Sequence, residues 1–231
     1  MSSTALDLTL IAGASRHSRL TRFEHLVIAG WTGRDAAAVE AHIDELAALG
    51  IARPASTPIY YRVSAARLTT DSSIEVSGEH SSGEAECALA CVDGRLWIGI
   101  GSDHTDREAE KFGVTLSKQM CEKPIGPNFW LYDDVREHWD SLELRAYVVE
   151  QGQRQLYQCG SVAEMLRPDA LLAKSPDGTG QPRADSLMFC GTLPAIGGIR
   201  PAARFEIELI DPVLQRSLEH GYDIVPLPVR G

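Results

Sequence analysis

The sequence predicts a mainly β, α+β protein, with its strands in a sandwich, barrel or rolled sheet and only a few short helices. Three observations carry this. Apolar residues recur at every second position in short stretches, as in Leu6, Leu8 and Leu10 or Phe205, Ile207 and Leu209, which is the strand period. Turn signals, notably Asp93-Gly94 and Gln151-Gly152, separate such stretches at short spacing. Only one segment has the length and composition of a substantial amphipathic helix. Alternating strands and long helices, the mark of a doubly wound fold, are missing from the pattern.

Taken in order, residues 5–11 and 22–29 are two strands. Asp35 then caps an Ala-rich helix whose stripe is Val39, Ile43 and Leu46, and Gly50 can end it. His42 and Glu45, three apart, share one face beside that stripe. A loop at 53–58 leads to a β-rich segment, 59–70, and a further β region, 74–92. Asp93-Gly94 turns this into a hairpin partner over 96–103. Residues 104–113 suggest a short helix ending at Gly113, 117–130 a Pro/Gly-rich loop, and 133–142 another short helix. A strand covers 144–150. The Ser161-to-Glu164 capping box starts a brief helix, with Pro168 just past it. Residues 173–185 are the most loop-like. Strands at 186–192 and 203–211 follow, and an extended tail from Gly221.

The chain of 231 residues is long enough for one good core. Its net charge of −10 and lack of a dense basic stretch speak against a nucleic-acid partner. No apolar run is long enough for a membrane span, and the N-terminal stretch lacks the basic start and long apolar core of a signal peptide. A cytoplasmic location is expected. The five cysteines, Cys87, Cys91, Cys121, Cys159 and Cys190, are odd in number and scattered in apolar surroundings, so free thiols are expected over disulfides.

The chemistry-bearing stretch is Gly83–Asp103. Glu84 and Glu86 are two apart at the start of an apolar run, so on a strand both carboxylates point to one face, with Cys87, Leu89 and Cys91 on the other. Asp103 ends the next run. If the two runs are neighbouring strands, three acids converge in a set suited to a hard divalent cation. Two solvated glutamates and a helix-capping aspartate account for the same spacing.

Several motifs in one order then resemble the fumarylacetoacetate hydrolase family. Residues 83–91 are similar to its Glu-x-Glu strand and residues 99–108 to its Gly-Tyr-x-x-x-Asp-x-Thr-Ala-Arg-Asp segment. Residues 117–127 are similar to its Lys-x-x-Asp-x-x-x-Pro-x-Gly-Pro loop, and 190–198 to its Gly-Thr-Pro-x-Gly-x-Gly turn. The His42-x-x-Glu45 pair sits where small members carry a catalytic pair on a lid helix. The match covers roughly residues 30–210. Cys121 stands where that loop usually has an acid, and Leu193 replaces a proline.

The resemblance implies a mixed β-roll with short helices and a lid helix. It implies one catalytic domain over 1–231: N-terminal strands to residue 30, a lid region over 31–52, and the roll over 53–231. It implies one Mg²⁺ or Mn²⁺ held by Glu84, Glu86 and Asp103. Lys118 would stabilise negative charge, and Arg107, Lys118, Gly191 and Thr192 would bind the substrate carboxylate. His42 and Glu45 would activate water. The implied activity is metal-dependent C–C cleavage, by hydrolysis or decarboxylation, in a small 2-oxo or 1,3-dicarbonyl acid, in a homodimer. Isomerisation or hydration on the same core, C–N hydrolysis and a non-catalytic binding role are the alternatives.

Overall fold

The computed structural model describes residues 3–48, 53–176, 180 and 183–230. The chain opens with three strands, β1 (Thr4–Ala12), β2 (Ser15–Phe23) and β3 (His25–Gly30), then helix α1 (Ala36–Ala48). Next come β4 (Ile59–Val63), β5 (Leu68–Thr69), β6 (Ser73–Ser77), β7 (Ser81–Ser82), β8 (Ala85–Val92), β9 (Arg95–Ser102) and β10 (Thr105–Asp106). Helices α2 (Arg107–Glu110) and α3 (Val114–Met120) precede β11 (Lys123–Pro124), β12 (Asn128–Leu131) and α4 (Tyr132–Val135). The remainder is β13 (Glu143–Glu150), β14 (Gln153–Ser161), α5 (Pro168–Ala173), β15 (Ser186–Thr192), β16 (Arg204–Asp211) and β17 (Arg216–Leu227).

Two sheets build the body. One has eight strands in the order β2-β1-β12-β9-β8-β15-β3-β4, and the other five in the order β14-β13-β16-β17-β6. The core between them joins Cys87 and Leu89 of β8, and Ile98 and Ile100 of β9, to Leu144, Phe205, Ile207 and Leu209 of the smaller sheet. The larger sheet curls: Leu8 and Leu10 toward one edge share a second core with Leu26, Ile28 and Val63 toward the other, around Phe129 and Phe189. The result is the mixed roll that the family resemblance implies, one of the arrangements the strand pattern allows.

β8 lies between these two cores, and all eight of its residues are buried. A strand covered on both faces needs no polar alternation, which explains its small apolar side chains. The β8–β9 and β13–β14 hairpins turn where expected, with Asp93 (φ 52°) and Gly94 (φ 71°), and Gln151 (φ 51°) and Gly152 (φ 75°), all left-handed. Two positive φ values match the twist of a tight hairpin.

Several local expectations are corrected. The strand expected over 22–29 is split: residues 22 and 23 end the edge strand β2, which begins at Ser15, and β3 begins at His25. The basic, polar composition of β2 suits an exposed sheet edge, and only Thr21 and Phe23 of it are buried. The helix expected over 104–113 starts at Arg107, because the Asp106 carboxylate accepts the Glu108 and Ala109 N–H groups. Gly113 then precedes α3 instead of ending the segment, and α3 occupies the start of the expected 117–130 loop. The helix expected over 133–142 splits into α4 and a single 3₁₀ turn at Trp139–Ser141. Pro168 begins a helix, as proline can at a first helical position. The tail is a twelve-residue strand paired with β16 and β6. The expected stop at Gly50, the Leu46 side chain and much of 177–182 lie outside the described residues.

Candidate active site

The β8–β9 register places the acids. Ala85 pairs with Ser102 and Glu86 with Gly101, and the Asp103 N–H donates to the Glu84 carbonyl at 3.0 Å. One carboxylate oxygen from each of Glu84, Glu86 and Asp103 therefore lies within 4.8 Å of the others. The convergence expected from the spacing is present.

Each acid is fixed by a different segment. The Glu84 Oε1 accepts from Arg107 Nη2 at 3.0 Å. The same guanidinium donates to Glu110 at 2.9 Å and to Ser82 Oγ at 2.7 Å. The Glu86 Oε2 accepts the Gly191 N–H at 2.6 Å. A bulge between Phe189 and Thr192 in the β15–β8 pairing aims this N–H. Gly191 has φ 101°, and a Cβ there would lie 1.8 Å from Thr32 Oγ1, so both conformation and space demand glycine. Asp103 is fully buried and receives two ammonium groups. Lys118, from α3, donates to Oδ2, while Lys123 Nζ, from β11, lies 2.8 Å from Oδ1.

Electrostatics separates the acids. Burial alone would raise the Asp103 pKa, but Lys118 and Lys123 overcome it and hold the group well below the usual carboxylate range. Glu86 goes the other way. Burial, then the charges of Asp103 and Glu84, push its pKa well above the ordinary value, against the opposing Lys118 and Gly191 N–H. Lys118 is kept charged: burial disfavours its ammonium, but Asp103 and Glu84 more than compensate. Its Nζ is 3.8 Å from Glu84 Oε2 and stands 5.7 Å from the centre of the Tyr61 ring.

His104 turns away from the acids, as an extended segment beside Asp103 requires. It is fully buried between Tyr222 OH at 2.9 Å and Ser81 Oγ at 2.8 Å. Burial, followed by Lys123 and Arg107, lowers its pKa to about 3, so it is a neutral spacer. Tyr222 OH in turn donates to Ser102 Oγ, which accepts the Glu84 N–H at 3.2 Å. This buried chain holds the strand ends that carry the acids.

A cleft of about 1060 Å³ opens on the site. It is lined by Glu84, Glu86, Arg107, Lys118, Gly191 and Thr192 at one end. His42 of α1 lines the same cleft, its Nδ1 3.4 Å from Glu45 Oε2. Within α1 only Ile43 is buried among the described side chains; the helix lies over the cleft, held besides by Arg53, which ion-pairs with Glu40 and Asp44. Thr192 Oγ1 donates to the Ala85 carbonyl and accepts from Gln158 Nε2, each at 2.8 Å. All the sequence-predicted site residues except Glu45 and Asp103 line the cleft; Asp103 lies beneath its floor and Glu45 stands behind His42.

Three contributors escape the sequence reading. Lys123 is completely buried, and nothing in its spacing marks it. Gln158 ties Ala85, Thr192 and Leu193 together. Trp31 lines the cleft with its ring centre 5.7 Å from that of His42; its φ of 55° is a signal only a structure gives.

Residues 29–222 match the family model described as a protein of unknown function, DUF2848. The chain belongs to the DUF2848 family. A search of curated proteins found no match. Among solved structures, this DUF2848 chain is similar to yeast ynq8, a fumarylacetoacetate hydrolase family protein. That match has 16% identity and a TM-score of 0.62, covering 90% of this chain and 95% of that one. It is also similar to 5-carboxymethyl-2-hydroxymuconate delta-isomerase from Mycobacterium smegmatis, at 17% identity and TM-score 0.59, over 90% and 80% of the two chains. A third, 2-keto-3-deoxyarabinonate dehydratase, has 15% identity and TM-score 0.59, over 90% and 74%. The DUF2848 chain thus has the fumarylacetoacetate hydrolase-type fold, which hosts more than one reaction. Among the described residues no helix is long and apolar enough to cross a membrane.

Proposed function

We propose that this chain is a divalent-metal-dependent enzyme that cleaves a C–C bond, by hydrolysis or decarboxylation, in a small 2-oxo or 1,3-dicarbonyl acid. The observation that carries this is the convergence of Glu84, Glu86 and Asp103 at the inner end of a cleft that His42 also lines. The donor set fits a hard ion: all three ligands are carboxylates, the ligand type Mg²⁺ and Mn²⁺ prefer. The raised pKa of Glu86 fits too, since its largest cause after burial is the two neighbouring acids, a repulsion that a divalent ion relieves. When bound, such an ion supplies Lewis-acid stabilisation of the enolate that forms when a 2-oxo acid loses a C–C bond.

The chain's own residues divide the remaining work. Lys118, held charged at the acids, offsets the substrate carboxylate or the developing enolate charge. Arg107 orients Glu84, and the Gly191 N–H orients Glu86. Thr192 fixes the strand edge through Ala85. Glu45 accepts from the Nδ1–H of His42, which leaves Nε2 to take a proton from water. That water adds to the acyl carbonyl, the C–C bond breaks with its electron pair passing to the enolate, and the proton returns to the enolate carbon. Without the water the same charge stabilisation serves decarboxylation. Closure of α1 over bound substrate would bring His42 to the reacting carbon.

The test is calorimetric titration of metal-free protein with Mn²⁺ and Mg²⁺, with and without oxalate, a mimic of the pyruvate enolate. Expected are metal binding, oxalate binding only when metal is present, and at least tenfold weaker metal binding in Glu84→Gln. Oxalate binding that ignores metal, or full metal affinity in Glu84→Gln, would overturn the assignment.

A further inference from the structure

We infer that the cleft selects a monoanionic acid whose far end is apolar and of aromatic size, rather than a dicarboxylate. The inference rests on the proposed function and specifies its substrate class.

The first argument is the fate of the cations that line the cleft. Arg34 places Nη1 and Nη2 on the two oxygens of Asp140, at 2.8 and 2.9 Å, and Nε on the Met165 carbonyl at 3.1 Å. Its fork is filled by groups outside the reaction site. Arg107 is tied to Glu84, Glu110 and Ser82, and Lys118 to Asp103 and Glu84. Among the described lining residues, no arginine or lysine is left for a second substrate carboxylate. The acids that remain on the wall, Asp35 and the exposed Glu164, would repel one. A recognition site for a carboxylate instead presents an open fork or ammonium.

The second argument is charge balance at the inner end. Four carboxylates (Glu84, Glu86, Asp103 and Glu110) face three cations (Arg107, Lys118 and Lys123). One divalent ion makes this group positive by a single charge, and one substrate carboxylate neutralises it. A second carboxylate would find no unpaired cation at this end and would meet the exposed acids Asp35 and Glu164 elsewhere on the wall.

The third argument is what the rest of the lining offers. Trp31, Leu193, Pro194 and Ile199 belong to it. Ile199 is 58% exposed at the rim, a large apolar side chain in water until something covers it. Trp31 is held at φ 55°, a conformation that a bulky residue adopts only against strain and that gathers at ligand clamps. Its indole is the natural platform for a ring or branched alkyl group.

The experiment compares N-benzyl oxamate with N-carboxymethyl oxamate on the Mn²⁺-loaded chain by calorimetry, with oxalate as the reference. Both probes carry the same chelating core and differ only at the far end. N-benzyl oxamate is expected to bind at least tenfold tighter. Trp31→Ala should cut that preference several-fold relative to oxalate. Ile199→Arg, at an exposed position, should shift it toward the carboxymethyl probe. Equal or tighter binding of N-carboxymethyl oxamate by the unaltered chain would overturn the inference, as would a preference that neither substitution moves. Failure of oxalate itself to bind the metal-loaded chain would instead overturn the proposed function, and this inference with it.

Discussion

Lys123→Met tests the least expected part of the site. The lysine is wholly buried, ion-paired with Asp103 at 2.8 Å, and donates to the His104 carbonyl. Methionine keeps the length and apolar stem but removes the charge and three donors. Asp103, also fully buried, then keeps Lys118 as its one ammonium. Removing one partner of a buried pair costs about 3–5 kcal/mol, and the orphaned carbonyl alone accounts for about 1–3 of this. Urea unfolding in EDTA should therefore show a midpoint well below that of the unaltered chain, with little change in slope. The cost should fall to about 1–3 kcal/mol in an Asp103→Asn background, where no carboxylate remains to compensate and mainly the carbonyl bond is lost. The metal provides a second readout. Without one positive neighbour the acids attract a divalent ion more strongly, so Mn²⁺ should raise the midpoint more in Lys123→Met than in the unaltered chain. An equal cost in both backgrounds would refute the claim that Lys123 acts through Asp103.

Other outcomes follow from the same geometry. His42→Ala should lower hydrolytic turnover about 10²–10⁴-fold while leaving Mn²⁺ affinity in calorimetry unchanged; equal turnover would return His42 and Glu45 to a solvated helix pair. Gly191→Ala meets Thr32 Oγ1 at 1.8 Å in a left-handed conformation, so a loss of about 2–4 kcal/mol is expected, with Thr32→Ala restoring part of it in thermal melts. His220 has its pKa lowered, first by burial and then by Arg204, against the opposing Asp71. A depressed folded value means that the unfolded chain takes up the proton first. Its stabilisation is complete above the ordinary histidine value of about 6.5 and is lost as pH falls below it. The unaltered chain should lose stability more steeply than His220→Gln between neutral pH and pH 5 in urea titrations.

The legible part of the fold is the part governed by local pattern. β16 shows its alternation because one face meets the core and the other meets water. The β8–β9 hairpin shows itself through Asp93-Gly94, whose positive φ values few other pairs adopt. β2 was hidden because an edge strand rich in arginine and serine carries no apolar period. The α2–α3 break was hidden because it depends on Asp106 capping its own next turn, a choice made by side-chain geometry. The sequence of α3 carries no clear helical signal because Pro124, Gly126 and Pro127 dominate the local pattern, while tertiary contact decides the turn before them.

The same division runs through the site. Spacing finds the three acids because strand period and hairpin register are local consequences of sequence. It treats them as equivalent, and they are not. Asp103 is sealed beneath two ammoniums, Glu86 is a buried acid with a raised pKa on one backbone N–H, and half-buried Glu84 is reached from the side by Arg107. These differences arise from α3, β11 and the β15 bulge, three segments whose approach to the acids is fixed only by the closed roll. A substitution that neutralises Asp103 therefore strikes folding and ligation together, whereas Glu84→Gln strikes mainly ligation, since the amide oxygen can still accept from Arg107 Nη2. The acids supply the chemistry, and the groups behind them decide which acid can change its charge.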